Sequence, residues 1–565
     1  MDKRFFLALF LSLIVIAITQ FVFPSPKRIP AVPMTAQDSA ASIRAATPNA
    51  NPAPVVRTGP ASVGGAASPV PAPGVVVPPV SGATVGETTS VVTPKAHYQF
   101  SSIGAAPVSI VISNYQNRSP TGGPVDLAMR GSSLLGYRLV LPADTVALDR
   151  VPFQLSRTTM AGGGEQLRYN ATVGATSVVI NYTIPADTSA SYTMKVTGTL
   201  SGIAGQAFLL VDLPKTLRSA ESDTSADQQS LAYSFKPQRD RAGSVLFDKL
   251  DPGEKRLQPG PLTWVAVKNK YFVLGMLALK DGVPFSEVTL TGGPRLTNIA
   301  NTASATAVQA LKNNGFGFEI YAGPQESQRL MALGREFDTV NPYGWGFMQG
   351  MVHPIASKVI EALLWMHNRL NLSYGWVLVI LGILIRLALW PLNQSTMRSS
   401  LKMQELQPKL AAVQKKYKDN PLKQREAIMA VYSEAGVSPF AGLTGCLPAL
   451  LPMPILFALF FVFQNTIEFR GVPFLWLQDI SIKDPFYILP ILMGLSMYVL
   501  SWIGMRNAPP NPQAKMMMYM FPVMMTAVLL NMASGLNLYY TAQNVAALPQ
   551  QWLLARERAR VRTPA

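Results

Sequence analysis

Two solvents are implied by this 565-residue chain: apolar runs long enough to cross a bilayer stand near the N-terminus and again beyond about residue 370, with an ordinary water-soluble stretch between them. Phe5 to Phe23 is a nearly uninterrupted apolar run of 19 residues behind Lys3 and Arg4, enough to cross the hydrocarbon core at about 1.5 Å per residue. Its apolar core exceeds that of a signal peptide and FVFPSP offers no small-x-small cleavage site, so residues 1–23 are expected to be an uncleaved anchor. The basic flank places its N-terminus in the cytoplasm.

From residue 24 to 95 the composition turns to Pro, Ala, Val, Ser, Thr and Gly, as in PAPGVVVPPV, and periodicity vanishes. A Pro-rich disordered tether is expected there. Between 96 and 335, short alternating segments such as TSVVINYTI and SYTMKVTGTL are separated by Gly, Pro, Asn and Asp. That pattern predicts antiparallel strands in a sandwich, outside the cytoplasm because it follows an N-in anchor. Residues 350–371 then repeat Met351, Ile355, Val359, Leu363, Met366 and Leu370 every three or four positions, with Lys358, Glu361 and Arg369 off the stripe. This is an amphipathic helix for the outer membrane surface.

Five further apolar runs fall at Leu372–Leu392, Leu447–Phe463, Pro485–Gly504, Met516–Met532 and Gly535–Leu554, a core expected over 372–554. Six spans in all put the basic tail, residues 555–565 with Arg556, Arg558, Arg560 and Arg562, in the cytoplasm. The same count leaves Asn393 to Phe440 inside with eight Lys/Arg, and Gln464 to Asp484 outside with two. The formal charge of +17 therefore follows topology and need not signal a nucleic-acid partner. Within the inner loop, residues 398–435 form an αα-hairpin turned at Asp419 to Pro421. Its lysines and the RERARVR tail suit anionic lipid or a ribosome and its targeting factors.

Charge inside the membrane is the sharper clue. In SYGWVLVILGILIRLALWPLN, Trp376 and Trp390 lie 14 residues apart, about 21 Å along a helix, as two interfacial anchors would. Arg386 lies between them in the cytoplasmic half. It either snorkels to the inner headgroups or faces a water-containing cavity. The last span adds Asn537, Tyr539, Tyr540, Thr541 and Asn544, each needing a partner or water in hydrocarbon. Ordinary helix packing also uses such groups, and the methionines of KMMMYMFPVMM fit lipid contact as well as varied apolar partners. Walker A, HExxH, GxSxG and strand-linked GxGxxG patterns are missing from the sequence, and His97, His353, His367 and the single Cys446 have no metal-ligand spacing. Neither an enzyme nor a cofactor is expected. A secondary transporter would carry repeated halves, which the chain lacks; a membrane-anchored carbohydrate-binding domain is the other alternative.

LIRLALWPL around Arg386, MQELQPKL, SPFAGLTGCLPALLPMPI, FLWLQDISIKDPFYILPILMG, and FPVMM followed by SGLNLYY together carry a resemblance to the YidC family of membrane protein insertases. The order of anchor, tether, β-domain, amphipathic helix and five-span core resembles its Gram-negative, inner-membrane branch. The resemblance implies a polytopic α-helical membrane protein of six transmembrane helices with an all-β periplasmic supersandwich domain and both termini cytoplasmic. It further implies a hydrophilic groove closed on the outer side, with Arg386 as the groove arginine and Met453, Tyr539 and Tyr540 as substrate contacts. The implied partners are nascent membrane proteins, the Sec translocon, the ribosome, the signal-recognition-particle receptor and anionic lipids, around a functional monomer. Gly382 and Pro452 depart from the family's polar residues at their positions, which predicts a less polar groove.

Overall fold

The computed structural model describes residues 86–562 apart from 143, 187–191, 204, 296–299, 345–347, 392–393, 395–405, 407–408, 411, 419, 435–452 and 507–511. The chain divides into Met1–Ala83 and Thr84–Ala565. The anchor and nearly all of the tether lie outside the described residues, as do Pro452 and most of the hairpin's first ten residues, whereas its second helix is described at Pro421–Glu434.

Antiparallel strands fill the region from Thr88 to Pro324. The alternation of TSVVINYTI is realised at Thr176–Ile184, where every second side chain is buried. A 14-stranded sheet runs through the domain, and a four-stranded sheet, Thr88–Val92 to Pro124–Asp126, packs on it. The two sheets share one core, in which Phe100 meets Tyr182 at 4.7 Å and the Tyr182 hydroxyl donates to the Ala105 carbonyl at 2.7 Å. The first strand begins eight residues ahead of the expected boundary at 96, inside the stretch read as tether. TTSVV is β-branched and pairs with Ala96–Ser101, but on the sequence its Thr, Ser and Val blend with the tether composition.

Phe272–Ala278 is buried at all seven positions, because the sheet is covered on both sides there. Phe337 lies over Gly275 so closely that a Cβ at that glycine would sit 2.4 Å from the ring. The cover is the segment leading toward the helical part, so the chain leaves the sheet by packing across it.

We number the helices used below α1 (Gln349–Leu370), α2 (Tyr374–Ala388), α3 (Met453–Asn465), α4 (Ile488–Met505), α5 (Pro512–Leu529) and α6 (Ser534–Arg562). Helix α1 occupies the expected span and buries Leu363 and Met366 of the predicted stripe, but the rest of its packed face is shifted. Val352, Ala356, Ile360, Leu363 and Leu364 are buried against α3, whereas Met351 and Leu370 of the predicted stripe are about half exposed. The packed face is thus rotated by roughly one residue, because the broad apolar surface of α1 meets both protein and the outside. Helix α6 continues past the expected end at 554 to Arg562. Among the described residues, α4 alone is long and apolar enough to cross a bilayer; Tyr374–Ala388, Pro454–Asn465 and Met518–Leu529 are shorter apolar helices.

One loop, Thr466–Tyr487, joins the sheet domain to the helices. Ile467 is buried in the β-domain core while Phe469 belongs to the helical core. Arg470 donates to Glu221 at 2.8 Å and to the Ala220 carbonyl at 2.9 Å, and both side chains of the ion pair are nearly fully buried. Asp479, also buried, faces Arg118 at 3.5 Å. The loop also starts two helices: the Asp484 carboxylate accepts from the backbone N–H groups of Phe486 and Leu489, and the carbonyls of Ile482 and Ile480 accept from those of Ser534 and Gly535. Amides that a helix end leaves unpaired are thereby satisfied.

Removing one partner of the buried pair leaves an uncompensated charge, so Arg470→Ala or Glu221→Ala should each cost about 3–5 kcal/mol. Arg470→Met combined with Glu221→Leu should cost clearly less than either, as read by thermal unfolding in detergent. Beside this pair, burial and the neighbouring Glu326 push the Glu468 carboxyl up to about 7, although the Ser327 N–H donates to it. A folded pKa above the ordinary carboxylate value means the folded state holds the proton longer, so this contribution is complete at acid pH and declines as pH rises toward 7. Glu468→Gln should therefore raise the thermal midpoint at pH 8 by about 2–4 °C and leave it unchanged below about pH 4.

Candidate functional site

The inward face of α2 is set by residues three and four apart: Gly375, Leu378, Gly382 and Arg386. The two glycines decide what comes close. Gly375 receives the Phe474 ring, and Gly382 receives the backbone of α6, where an added Cβ would sit 3.0 Å from the Tyr539 carbonyl oxygen. One turn beyond Gly382, the Arg386 side chain is therefore aimed at α6 as well.

There its Nη2 donates to Gln550 Oε1 at 2.9 Å, and Gln550 Nε2 donates to the Trp390 carbonyl at 3.1 Å. That carbonyl lies just beyond the end of α2, so the amide is pinned at both ends. Gln550 is buried and Arg386 is partly so. Among the described residues no carboxylate pairs with Arg386, and its buried Nε has no hydrogen-bond partner. A guanidinium has five N–H donors, and one amide oxygen satisfies only a fraction of them.

The expected tyrosine pair lies elsewhere along α6. Tyr539 is fully buried, with Phe463 at 5.9 Å and Tyr540 at 5.4 Å, and its hydroxyl has no partner among the described residues. Tyr540 is half-buried. Eleven residues of helix separate Tyr539 from Gln550, about 16 Å along the axis, so the tyrosines and Arg386 form no single cluster. Tyr539 joins Tyr374, Phe463, Phe469 and Phe474 in an apolar plug at the bundle end nearest the β-domain. Met453 is the first residue of α3, and its side chain lies outside the described residues.

Other polar groups of the last helix serve packing. Asn537 donates to the Leu529 carbonyl at 3.1 Å, Thr541 to the Asn537 carbonyl at 2.7 Å, and Asn544 to Ser496 Oγ at 3.0 Å. Gln550 was not singled out by sequence reasoning. The signal was present: Tyr539, Gln543 and Gln550 share one face at spacings of four and seven. It was passed over because Gln550 lies inside the expected span, beside Gln551, where nothing in the residue order says which amide meets Arg386.

Residues 88–356 match the family model described as YidC periplasmic domain, and residues 365–561 that described as 60Kd inner membrane protein. The membrane protein insertase YidC of Pelodictyon phaeoclathratiforme is 30% identical over 486 residues, 80% of either chain. This chain belongs to the YidC family of membrane protein insertases. YidC relatives from Prosthecochloris aestuarii and Chlorobaculum tepidum are 33% and 32% identical, over 67% and 70% of this chain and 66% and 68% of theirs. These two matches span about two thirds of the relatives' own length. A crystal structure titled as an active YidC insertase with its first transmembrane domain resolved is similar at 16% identity and a TM-score of 0.32, covering 82% of this chain and 92% of that one. YidC proteins are named as insertases and not as enzymes, and as inner-membrane proteins with a periplasmic domain, here the antiparallel β-sandwich.

The departure at Gly382 has a packing basis. A threonine there would press its side chain into the α6 backbone instead of lining an open path. Gly382→Thr should overpack the α2–α6 contact at a cost of about 1–3 kcal/mol, with a lowered thermal midpoint in detergent as the measurement. Gly382→Ala should fall between the two.

Proposed function

We propose that this YidC protein inserts nascent membrane proteins by offering their polar segments a wet, positively charged groove at the cytoplasmic end of the bundle, where Arg386 of α2 and Gln550 of α6 meet. The observation that carries this reading is the Arg386 guanidinium, partly buried in an apolar bundle without a carboxylate beside it among the described residues. In hydrocarbon such donors demand water or an acceptor, and acidic residues in a substrate tail supply acceptors of the right charge. The apolar plug around Tyr539 and Phe463 supports closure on the side of the β-domain. A hydrophilic segment would enter from the cytoplasm, and the substrate's apolar helix would then leave sideways into lipid, driven by hydrophobic burial.

The topology that fits has six spans, with residues 1–23 as the first, both termini in the cytoplasm and the β-domain in the periplasm. It leaves the lysine-rich hairpin of residues 398–435 and the arginine tail inside, where Lys and Arg concentrate. Those two elements are the surfaces we assign to anionic lipid, the ribosome and the signal-recognition-particle receptor. The protein would act as a monomer, alone or beside the Sec translocon. Tyr540 and Met453 complete the proposed substrate contacts.

Photocrosslinkers at Arg386, Met453 and Tyr540 should form adducts with a stalled nascent chain in membrane vesicles; no adduct with a competent substrate would defeat the reading. Arg386→Ala should slow insertion of substrates with acidic tails at least about tenfold more than those with neutral tails, a difference of roughly 1.4 kcal/mol. Arg386→Lys should recover part of the loss, because it keeps the charge but not the fork of donors.

A further inference from the structure

The loop that bolts the β-domain to the helices also presents two large apolar side chains outward. Leu475 is 69% exposed and Phe486 is 65% exposed. Neither is a loosely held surface residue. Phe474 and Leu477 exchange both backbone hydrogen bonds at 2.9 Å, closing a tight tip of which Leu475 and Trp476 are the two central residues. Leu475 is held there at φ 51°, the left-handed region that branched side chains rarely occupy. Beneath it, Phe474 is wedged against Gly375, and the Trp476 indole donates to Asp484 at 3.3 Å. Phe486 precedes Tyr487, which is also left-handed at φ 56°, and its own N–H is fixed by Asp484. Buried Asp479, Ser481 and Asp484 thus hold a polar base, and the structure spends strained backbone on turning a leucine and a phenylalanine away from it.

What lies next to each tip identifies its surroundings. Phe474 contacts Trp376 edge-on at 5.4 Å, and Trp376 heads an exposed stripe of α2 that continues through Ile383, Leu384 and Leu387. Phe486 adjoins Ile488, the first of the exposed apolar residues Ile491, Leu492 and Leu495 on α4. Both tips prolong helix faces that only lipid suits.

The geometry points to Leu475 and Phe486 as paired wedges that enter the outer leaflet of the bilayer and fix the depth of the joint between the β-domain and the helical bundle. This rests on the membrane topology proposed above. Through Arg470 and Arg118, the same loop would transmit that fixed depth to the β-domain.

In a Cys446→Ser background, Leu475→Cys, Phe486→Cys, Leu495→Cys and Ser201→Cys are each labelled with bimane in the full chain. The protein is then reconstituted in vesicles of phosphatidylethanolamine and phosphatidylglycerol. Quenching is compared between iodide in water and a nitroxide carried near the carboxyl end of a lipid acyl chain. Positions 475 and 486 should follow position 495, with lipid-nitroxide quenching at least about twofold above that at the exposed β-domain position 201 and little effect of iodide. Iodide quenching at 475 and 486, with position 495 still lipid-quenched, would overturn the wedge and leave the topology standing. Shielding of both tips from both quenchers would mark a protein contact and likewise overturn it. Iodide quenching at 495 would overturn the topology of α4 and the wedge with it.

Discussion

The Arg386 guanidinium reaches α6 only because Gly382, one turn before it, lets the two helices close to backbone contact. Without that approach, the Gln550 amide could not bridge the arginine and the Trp390 carbonyl. The resulting contact is polar where the surrounding bundle is apolar. Among the described residues it is also incomplete, since a guanidinium carries more donors than one amide oxygen can accept. The insertase reading depends on that incompleteness, because a fully compensated charge would have nothing left to offer a substrate.

The outer end of the same bundle follows the opposite rule. There the Asp484 carboxylate caps a helix and the Asp479 carboxylate pairs with Arg118 and accepts from the Ser481 N–H, and aromatic rings fill the space between α2, α3 and α6. Close aromatic packing and the helix-capping carboxylates hold this end together, and the buried Arg470–Glu221 pair ties it to the sheet domain. One helical bundle therefore carries an aromatic, tightly packed end and, about 16 Å away along α6, an end with a guanidinium that no described carboxylate balances.

Much of this was legible in the residue order. Alternation in TSVVINYTI required strands, because side chains on a pleated strand point to opposite faces. The span of α1 was legible from its three-four spacing, but its packed face was not: Met351, Ile355 and Val359 look as apolar as Val352, Ala356 and Ile360, and sequence does not say which surface meets protein and which meets the outside. The strand at Thr88–Val92 was hidden in a tether of similar composition, since a strand pair becomes visible only when its partner is placed beside it. Gly382 read as lost polarity, whereas the structure makes it a spacer.

The sequence by itself determined the partition of the chain between two solvents, the β and helical classes of its parts, the charge inside the apolar run at Arg386 and the family motifs. These follow from local properties, hydropathy and period, that each segment carries alone. Only the tertiary structure decided that Arg386 meets Gln550, that Asn537, Thr541 and Asn544 serve helix packing, that Tyr539 belongs to the plug, and that one loop unites both domains. Those facts depend on which side chains and helix faces meet, in the case of Arg386 and Gln550 across 164 residues of chain, and such a contact leaves no periodic mark in either segment.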